Sequence, residues 1–359
     1  MTQEIEINAF IALTIGFVVF FLGQRLTKKI RFLSDYNIPE PVSGGIAVAL
    51  LTWAVYAFLD REISFDLSAR DALLVYFFTT VGLNARFSDL LRGGLPLALL
   101  LGATVAFMFL QNLVGAAAAL LWGLPSQVGV LLGTASLIGG HGTAIAWGPR
   151  IAETYNVAGA TELGVAMATM GLIVASLLGG PIAKYLVEKN NLKADPEQKA
   201  AFVIVEDDER TDQFDYVDVI RSVLVANIAI IIGYTAYVAL QEAGIMLPLF
   251  VPCLLAGIVL TNTVPFLLPK LKWPSRTPAL ALISDFSLSV FLAMSLMSMQ
   301  MWTLSGSTGL LITTTFFQAA MAALFILFIF YRLMGSNYFA AVLSAGFAGF
   351  TLGATPTAI

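Results

Sequence analysis

Long stretches without a charged residue are the feature that most restricts how this chain folds. Residues 95–122 and 310–331 contain no Asp, Glu, Lys or Arg. An α-helix rises about 1.5 Å per residue, so roughly 20 apolar residues cross a hydrocarbon layer about 30 Å thick. A soluble helix needs a charged face, and these stretches have none. Each stretch is therefore predicted to span a membrane.

The composition agrees with a membrane protein. Apolar residues make up 58% of the chain and charged residues 12%, and the mean hydropathy is +0.85, whereas about a quarter of the residues in a soluble domain are charged. Residues 1–8 are acidic where a signal peptide is basic, so the first span is expected to stay in the protein. The single cysteine, Cys253, excludes a disulfide within the chain.

Apolar runs between charged breaks predict nine transmembrane helices. They are expected near residues 8–24, 42–59, 72–85, 95–122, 163–186, 219–240, 247–268, 279–302 and 309–331, with two further glycine-rich stretches near 127–149 and 338–359. A polar segment, 188–218, is predicted to be a charged cytoplasmic linker. The chain is thus predicted to be an all-α polytopic membrane protein with an N-terminal repeat at 1–187 and a C-terminal repeat at 219–359.

The positions of Lys and Arg predict the orientation. With the N-terminus outside and nine crossings, all but three of the 19 basic residues lie on the cytoplasmic side, as the positive-inside rule requires. The three outside are Arg61, Arg70 and Arg150. If residues 127–149 also crossed, every later loop would change sides and the bias would disappear. This stretch is therefore predicted to be a re-entrant hairpin.

The two halves of the chain are similar to each other. Residues 139–145 align with residues 353–359, and the same offset aligns Asp71 with Asp285 and Phe77 with Phe291. An odd number of spans per repeat inverts the second copy, so the two hairpins are expected to enter from opposite faces and meet at the midplane. Irregular backbone is tolerated at that depth where it lines a wet cavity and binds a ligand.

The sequence SLIGGHGTA at 136–144, the sequence GFAGFTLGATPTA at 346–358 and the sequence NIPEPVSGG at 37–45 resemble motifs of the bacterial glutamate:sodium symporter family. The resemblance implies Na⁺-coupled uptake of L-glutamate, with D-glutamate as an alternative substrate, across the inner membrane. It implies two inverted-topology repeats of five transmembrane helices, each with a re-entrant hairpin, periplasmic termini, and a homodimer in which a mobile domain carries the substrate. A tenth span, the counterpart of 163–186, is missing from this chain.

The hairpins carry the candidate substrate ligands. Amides at helix starts and hydroxyls bind carboxylates, while unwound carbonyls and hydroxyls bind Na⁺. The first hairpin has Ser136, Gly139, Gly140, His141, Gly142 and Thr143, and the second has Thr351, Gly353, Thr355, Pro356 and Thr357. Arg150 is a further candidate for a substrate carboxylate, and anchoring at the membrane interface is its alternative role. Close helix packing also explains the small residues.

Five residues of the third and eighth predicted spans are candidate Na⁺ ligands. They are Asp71, Asp285, Ser295, Thr80 and Asn84. Asp285 lies in an apolar run, where a charge costs at least about 2.5 kcal/mol unless it is paired or hydrated. Asp71 has an alternative role, because Ser68 and Asp71 have the spacing of a helix capping box. Na⁺ is expected as the coupling ion, with no other cofactor and no nucleic-acid partner.

Secondary transport is the predicted function, and a channel and an intramembrane enzyme are the alternatives from other classes. A membrane hydrolase needs a nucleophile–base pair or a metal set such as H-E-x-x-H, and the one histidine lacks that spacing. Within transport, the residues alone do not separate glutamate from citrate or another dicarboxylate. The preference for glutamate comes from the resemblance.

Overall fold

The computed structural model describes residues 3–35, 38–192, 215–245, 247–304 and 306–353. Two strands, β1 (Gln3–Ile7) and β2 (Arg61–Phe65), pair in parallel. The helices are α1 (Ala9–Lys29), α2 (Arg31–Asp35), α3 (Glu40–Leu59), α4 (Ser68–Asn84), α5 (Phe87–Arg92), α6 (Gly94–Leu121), α7 (Thr134–Leu137), α8 (Gly140–Tyr155), α9 (Ala160–Lys189), α10 (Tyr216–Glu242), α11 (Phe250–Leu267), α12 (Pro278–Met297), α13 (Thr308–Leu333) and α14 (Tyr338–Leu352). Short 3₁₀ turns occupy Ser126–Val130 and Met301–Leu304.

The predicted multi-pass membrane protein is confirmed. In the described part of the chain, eight helices are long and apolar enough to cross a membrane: α1, α3, α6, α9, α10, α11, α12 and α13. The ninth predicted span, 72–85, is also helical, but α4 has 17 residues and carries Asp71 in its first turn. All nine predicted spans are therefore helices, and one of them is shorter than the others.

The prediction of a purely helical chain missed the two strands. The last four residues of each strand alternate between polar and apolar, which is the period of a strand, and the pairing joins Gln3 to Arg61 and Ile7 to Phe65. The predicted span 279–302 also ends early, at Met297. Gln300 lies beyond this end, where its Nε2 donates to Glu62 Oε1 at 3.0 Å.

The helices pack into two bundles. The first bundle contains α1, α3, α4, α10, α11 and α12, and the second contains α6, α7, α8, α9, α13 and α14. The N-terminal half of the chain contributes helices to both bundles, and so does the C-terminal half. The predicted repeats therefore do not correspond to the two bundles. Most of the predicted linker 188–218 lies outside the described residues.

The two bundles meet at α8 and α12. Phe291 of α12 is fully buried, and its Cε1 atom lies 3.4 Å from a Cβ built on Gly142 of α8. Ile145 of α8 and Val165 of α9 belong to the same buried cluster as Phe291. This apolar contact places the start of α8, with His141, beside the first bundle.

Candidate functional site

A helix–turn–helix formed by residues 126–155, here called hairpin 1, begins by running along α6. A Cβ built on Gly115 of α6 would lie 2.1 Å from the carbonyl oxygen of Gly129. Further along, Thr134 donates its amide to Asn112 Oδ1 at 3.0 Å and its hydroxyl to the Met108 carbonyl at 3.2 Å. The first limb is therefore antiparallel to α6, and its end lies level with the middle of that 28-residue helix.

The chain turns at Gly140 and returns along α9. Gly140 has a φ of +73°, a backbone conformation that glycine adopts at little cost. In the second limb, a Cβ built on Gly148 would lie 2.6 Å from the Thr161 Cα, and His141 Nε2 lies 3.0 Å from Thr169 Oγ1. Helix α8 is thus antiparallel to the first part of α9.

Helix α14 approaches α9 from its other end. A Cβ on Gly179 would lie 3.4 Å from the Ala345 carbonyl oxygen, and one on Gly171 would lie 2.3 Å from that of Leu352. The Cβ position of Gly171 also lies 2.6 Å from Cδ2 of Leu137, which belongs to hairpin 1. Hairpin 1 and α14 therefore start at opposite ends of α9, which is about 45 Å long, and meet near its middle.

The structure brings most of the predicted substrate ligands to this meeting point. Ser136, Gly139, Gly140, His141, Gly142 and Thr143 surround the turn of hairpin 1, and Thr351 and Gly353 lie at the end of α14. Thr355, Pro356 and Thr357 lie outside the described residues. Arg150 is apart from the others, because it lies nine positions after His141 on α8, a distance of about 14 Å.

The polar side chains at the turn differ in what they bind. His141 is buried and contacts Thr169, while the Thr143 hydroxyl donates to the Gly139 carbonyl at 3.0 Å. The Ser136 hydroxyl is buried and has no hydrogen-bond partner in the part of the chain that the structure describes. A buried polar group without a partner is costly, so Ser136 is available to a ligand.

Arg150 lines a separate cavity of about 460 Å³ beside the base of hairpin 1, together with Gln127, Trp147 and Tyr155. An arginine that shares a cavity with a tryptophan and a tyrosine near the end of a helix is typical of an interface anchor. The structure therefore favours the alternative role of Arg150. A contact between Arg150 and the substrate stays a prediction, and the distance of about 14 Å along α8 from His141 does not favour it.

The predicted Na⁺ ligands lie on helices of the first bundle, whereas the turn of hairpin 1 belongs to the second bundle. Three are already hydrogen-bonded: Ser295 donates to the Phe291 carbonyl, Thr80 donates to the Phe77 carbonyl, and Asn84 accepts from the Arg276 amide. Asp285 is exposed. Among the described residues, no group of three or more His, Cys, Asp or Glu residues could hold a metal ion.

The capping box predicted at the start of α4 is wrong. Leu67 is the N-cap residue, and its side chain makes no capping hydrogen bond. Instead, the Ser68 amide donates to Asp66 Oδ1 at 3.0 Å, and this bond lowers the pKa of Asp66. Asp71 is exposed and pairs with Arg70 at 2.5 Å. The capping pattern failed because Asp66, two residues before the helix, accepts the Ser68 amide, and the Asp71 amide donates to the Leu67 carbonyl.

Two residues of the site were missed by the sequence analysis. Gln111 of α6 and Gln318 of α13 are both fully buried in the second bundle. Their amides bind backbone carbonyls of α14 and of hairpin 1. A signal was present, because each is a glutamine within a long uncharged stretch, where a polar side chain is retained only when it finds a partner.

Comparison with known proteins identifies the family. The model of the sodium/glutamate symporter family matches residues 5–359. The sodium/glutamate symporter of Haemophilus influenzae is 36% identical over 352 residues, which cover 97% of this chain and 86% of the relative. The sodium/glutamate symporter of Escherichia coli is 37% identical over 345 residues, which cover 94% of this chain and 84% of the relative. The chain therefore belongs to the sodium/glutamate symporter family.

Proposed function

We propose that this protein is a secondary active transporter that couples the entry of Na⁺ to the uptake of glutamate. The observation that carries the proposal is the meeting of hairpin 1 and α14 near Gly171, in the middle of α9. Two segments that break at mid-depth leave backbone amides and carbonyls without helical partners. Such groups bind the substrate and the coupling ion in secondary transporters. Family membership agrees with this function.

The residues at the turn have the chemistry to bind a zwitterionic dicarboxylate. The first turn of α8 presents the backbone amides of Gly140, His141 and Gly142, and the positive end of this 16-residue helix attracts a carboxylate. Ser136 adds a buried hydroxyl that has no hydrogen-bond partner among the described residues. On the side of α14, the last turn of the helix carries carbonyl oxygens, a type of ligand that suits Na⁺ or the substrate ammonium.

The same proposal includes a membrane arrangement. Hairpin 1 would enter from the periplasm and the second hairpin from the cytoplasm, in two inverted repeats in the bacterial inner membrane. The protein would be a homodimer with periplasmic termini and a cytoplasmic central linker. Two features support this arrangement: the distribution of Lys and Arg, and the contribution of both chain halves to each bundle.

We further propose an elevator mechanism, in which the second bundle moves against the first. All the predicted hairpin ligands that the structure describes belong to the second bundle, so one rigid movement would carry the whole site. The contact of Phe291 with the start of α8 is apolar, and an apolar surface can slide without breaking hydrogen bonds. The Na⁺ candidates in the first bundle are not required by this mechanism.

Uptake into liposomes tests the proposed coupling. Purified protein should accumulate labelled glutamate under an inward Na⁺ gradient, and should only equilibrate it when Na⁺ is equal on both sides. An excess of unlabelled citrate in the same assay tests the nearest alternative substrate. Equal uptake with and without the gradient would contradict Na⁺ coupling, and stronger inhibition by citrate than by unlabelled glutamate would contradict the substrate.

The contact between His141 and Thr169 gives a second prediction. The substitution Thr169→Val keeps the shape of the side chain and removes the hydroxyl that lies 3.0 Å from His141 Nε2. Since a hydrogen bond contributes about 1 kcal/mol, the KM for glutamate is expected to rise about fivefold. Initial uptake rates against glutamate concentration measure this change.

The matched control for that experiment is Thr313→Val in α13. The Thr313 hydroxyl binds only carbonyls of its own helix, so the KM should stay at the wild-type value. If Thr169→Val also left the KM unchanged, the orientation of the His141 ring would have no role in binding glutamate.

A further inference from the structure

Two glutamines are buried at the centre of the second bundle. Gln111 of α6 and Gln318 of α13 both have an exposed fraction of 0%. Burying an amide without a hydrogen-bond partner costs about 1–3 kcal/mol. Neither side chain is therefore explained by apolar packing, and the partners that each one finds indicate its role.

The two amides link hairpin 1 to α14. Gln111 Nε2 donates to the Thr351 carbonyl of α14 at 2.9 Å. Gln318 Nε2 donates to the Leu132 carbonyl of hairpin 1 at 3.1 Å and to the Gln111 carbonyl at 2.9 Å. A continuous series of contacts thus runs from Thr351 through Gln111 and Gln318 to Leu132. We call this series the glutamine relay.

The carbonyls at the two ends of the relay lie where a helix is interrupted or ends, so the regular helical hydrogen bonds do not supply them with a donor. Leu132 lies in the turn between the 3₁₀ segment and α7, and Thr351 lies in the last turn of α14. The last four carbonyls of a helix have no partner within that helix. In the middle of a membrane, such a group must find its partner within the protein.

We propose that Gln111 and Gln318 are positioning residues that couple the two broken segments, so that binding at one segment changes the other. The inference rests on the proposed function, because the coupled events are the binding of Na⁺ and of glutamate. Each amide is held through Nε2 alone, since neither Oε1 has a partner among the described residues. Each amide can therefore follow a shift of its carbonyl.

A cysteine reporter on α14 tests the coupling. In a Cys253→Ala background, Gly349→Cys places a thiol where a built Cβ has no atom within 4 Å. The measurement is the rate of reaction of purified protein with a thiol reagent, with and without Na⁺. In the parent protein, Na⁺ should change this rate. The Gln318 amide binds carbonyls of Gln111 and Leu132, and none of α14 among the described residues. Coupling therefore predicts that Gln318→Met reduces the Na⁺ response of the α14 reporter at least threefold, whereas purely local effects predict no change.

The reciprocal experiment uses a reporter on hairpin 1. Ala146→Cys on α8 reports on hairpin 1, while Gln111→Met removes the bond to Thr351 of α14. The Na⁺ response of this reporter should also fall at least threefold. This pair still tests the relay if Gln318→Met does not fold. The control is Thr52→Val, since the buried Thr52 hydroxyl binds only the Ala49 carbonyl of α3, and it should leave both responses unchanged.

The outcomes separate this inference from the proposed function. If the parent responds to Na⁺ and the glutamine variants respond equally, the relay is wrong and the proposed function stands. If the parent reporters and liposome uptake both ignore Na⁺, the proposed function is wrong and the relay falls with it. The relay would also be overturned if Gln318→Met reduced only the Na⁺ response of hairpin 1 and Gln111→Met reduced only that of α14.

Discussion

Replacing Gly171 by leucine is expected to abolish Na⁺-driven glutamate uptake. A Cβ at this position would lie 2.3 Å from the Leu352 carbonyl oxygen and 2.6 Å from Leu137 Cδ2, well inside the ordinary contact distance of 3.4–4 Å. Helix α14 would have to move away from α9 by about 1 Å, and the Leu137 side chain of hairpin 1 would have to repack. A displacement of that size at a binding site reduces activity roughly 100-fold. Uptake into liposomes measures the loss.

The matched control is Gly180→Leu on the same helix. A Cβ built on Gly180 has no atom within 4 Å, so the larger side chain should be accommodated with uptake close to that of the wild type. Both variants should be compared at equal amounts of folded protein, because overpacking also costs about 1–3 kcal/mol of stability. Substantial uptake by Gly171→Leu would show that the meeting point near Gly171 is not the transport site.

Cross-linking the two bundles is expected to stop transport reversibly. Ile145 of α8 and Phe291 of α12 are buried in one cluster at the contact between the bundles. In the Cys253→Ala background, the pair Ile145→Cys and Phe291→Cys can be joined by a short bifunctional thiol reagent that forms reducible disulfides. If the second bundle moves against the first, uptake should fall at least about tenfold and should return on reduction.

Two single-cysteine proteins are the controls for this experiment. Each should keep most of its uptake after treatment with the reagent, because no link between the bundles forms. A cross-linked double variant that transports at the uncross-linked rate would contradict movement between the bundles. Glutamate symport could then still occur through local opening of hairpin 1 and of the second hairpin.

Much of the second bundle could be predicted from local sequence. The uncharged stretches 95–122 and 310–331 are the helices α6 and α13, because membrane thickness dictates the length of an apolar helix. The glycines at 139 and 140 mark the turn of hairpin 1, where Gly140 adopts a positive φ. Both features depend on residues close together in the chain.

The candidate site was predicted only in part. Pairing the two glycine-bearing motifs predicted that hairpin 1 and the end of α14 lie close together, and Leu137 and Leu352 both pack against α9 at Gly171. It did not identify Gln111 or Gln318, because the carbonyls that accept hydrogen bonds from their amides lie far away in the chain. It also did not place Asp71 or Asp285, whose distance from the hairpin follows from which helices pack together.

The sequence by itself determined that this chain lies in a membrane, which of its stretches form the long helices, and that the chain turns at the glycines 139 and 140. These properties follow from hydropathy, charge and glycine over stretches of at most about 30 residues. Only the tertiary structure decided that α6 and α9 form one bundle with α13 and α14. Helix surfaces that are all apolar carry little information about their partners, so close backbone approaches such as that at Gly171 make the selection.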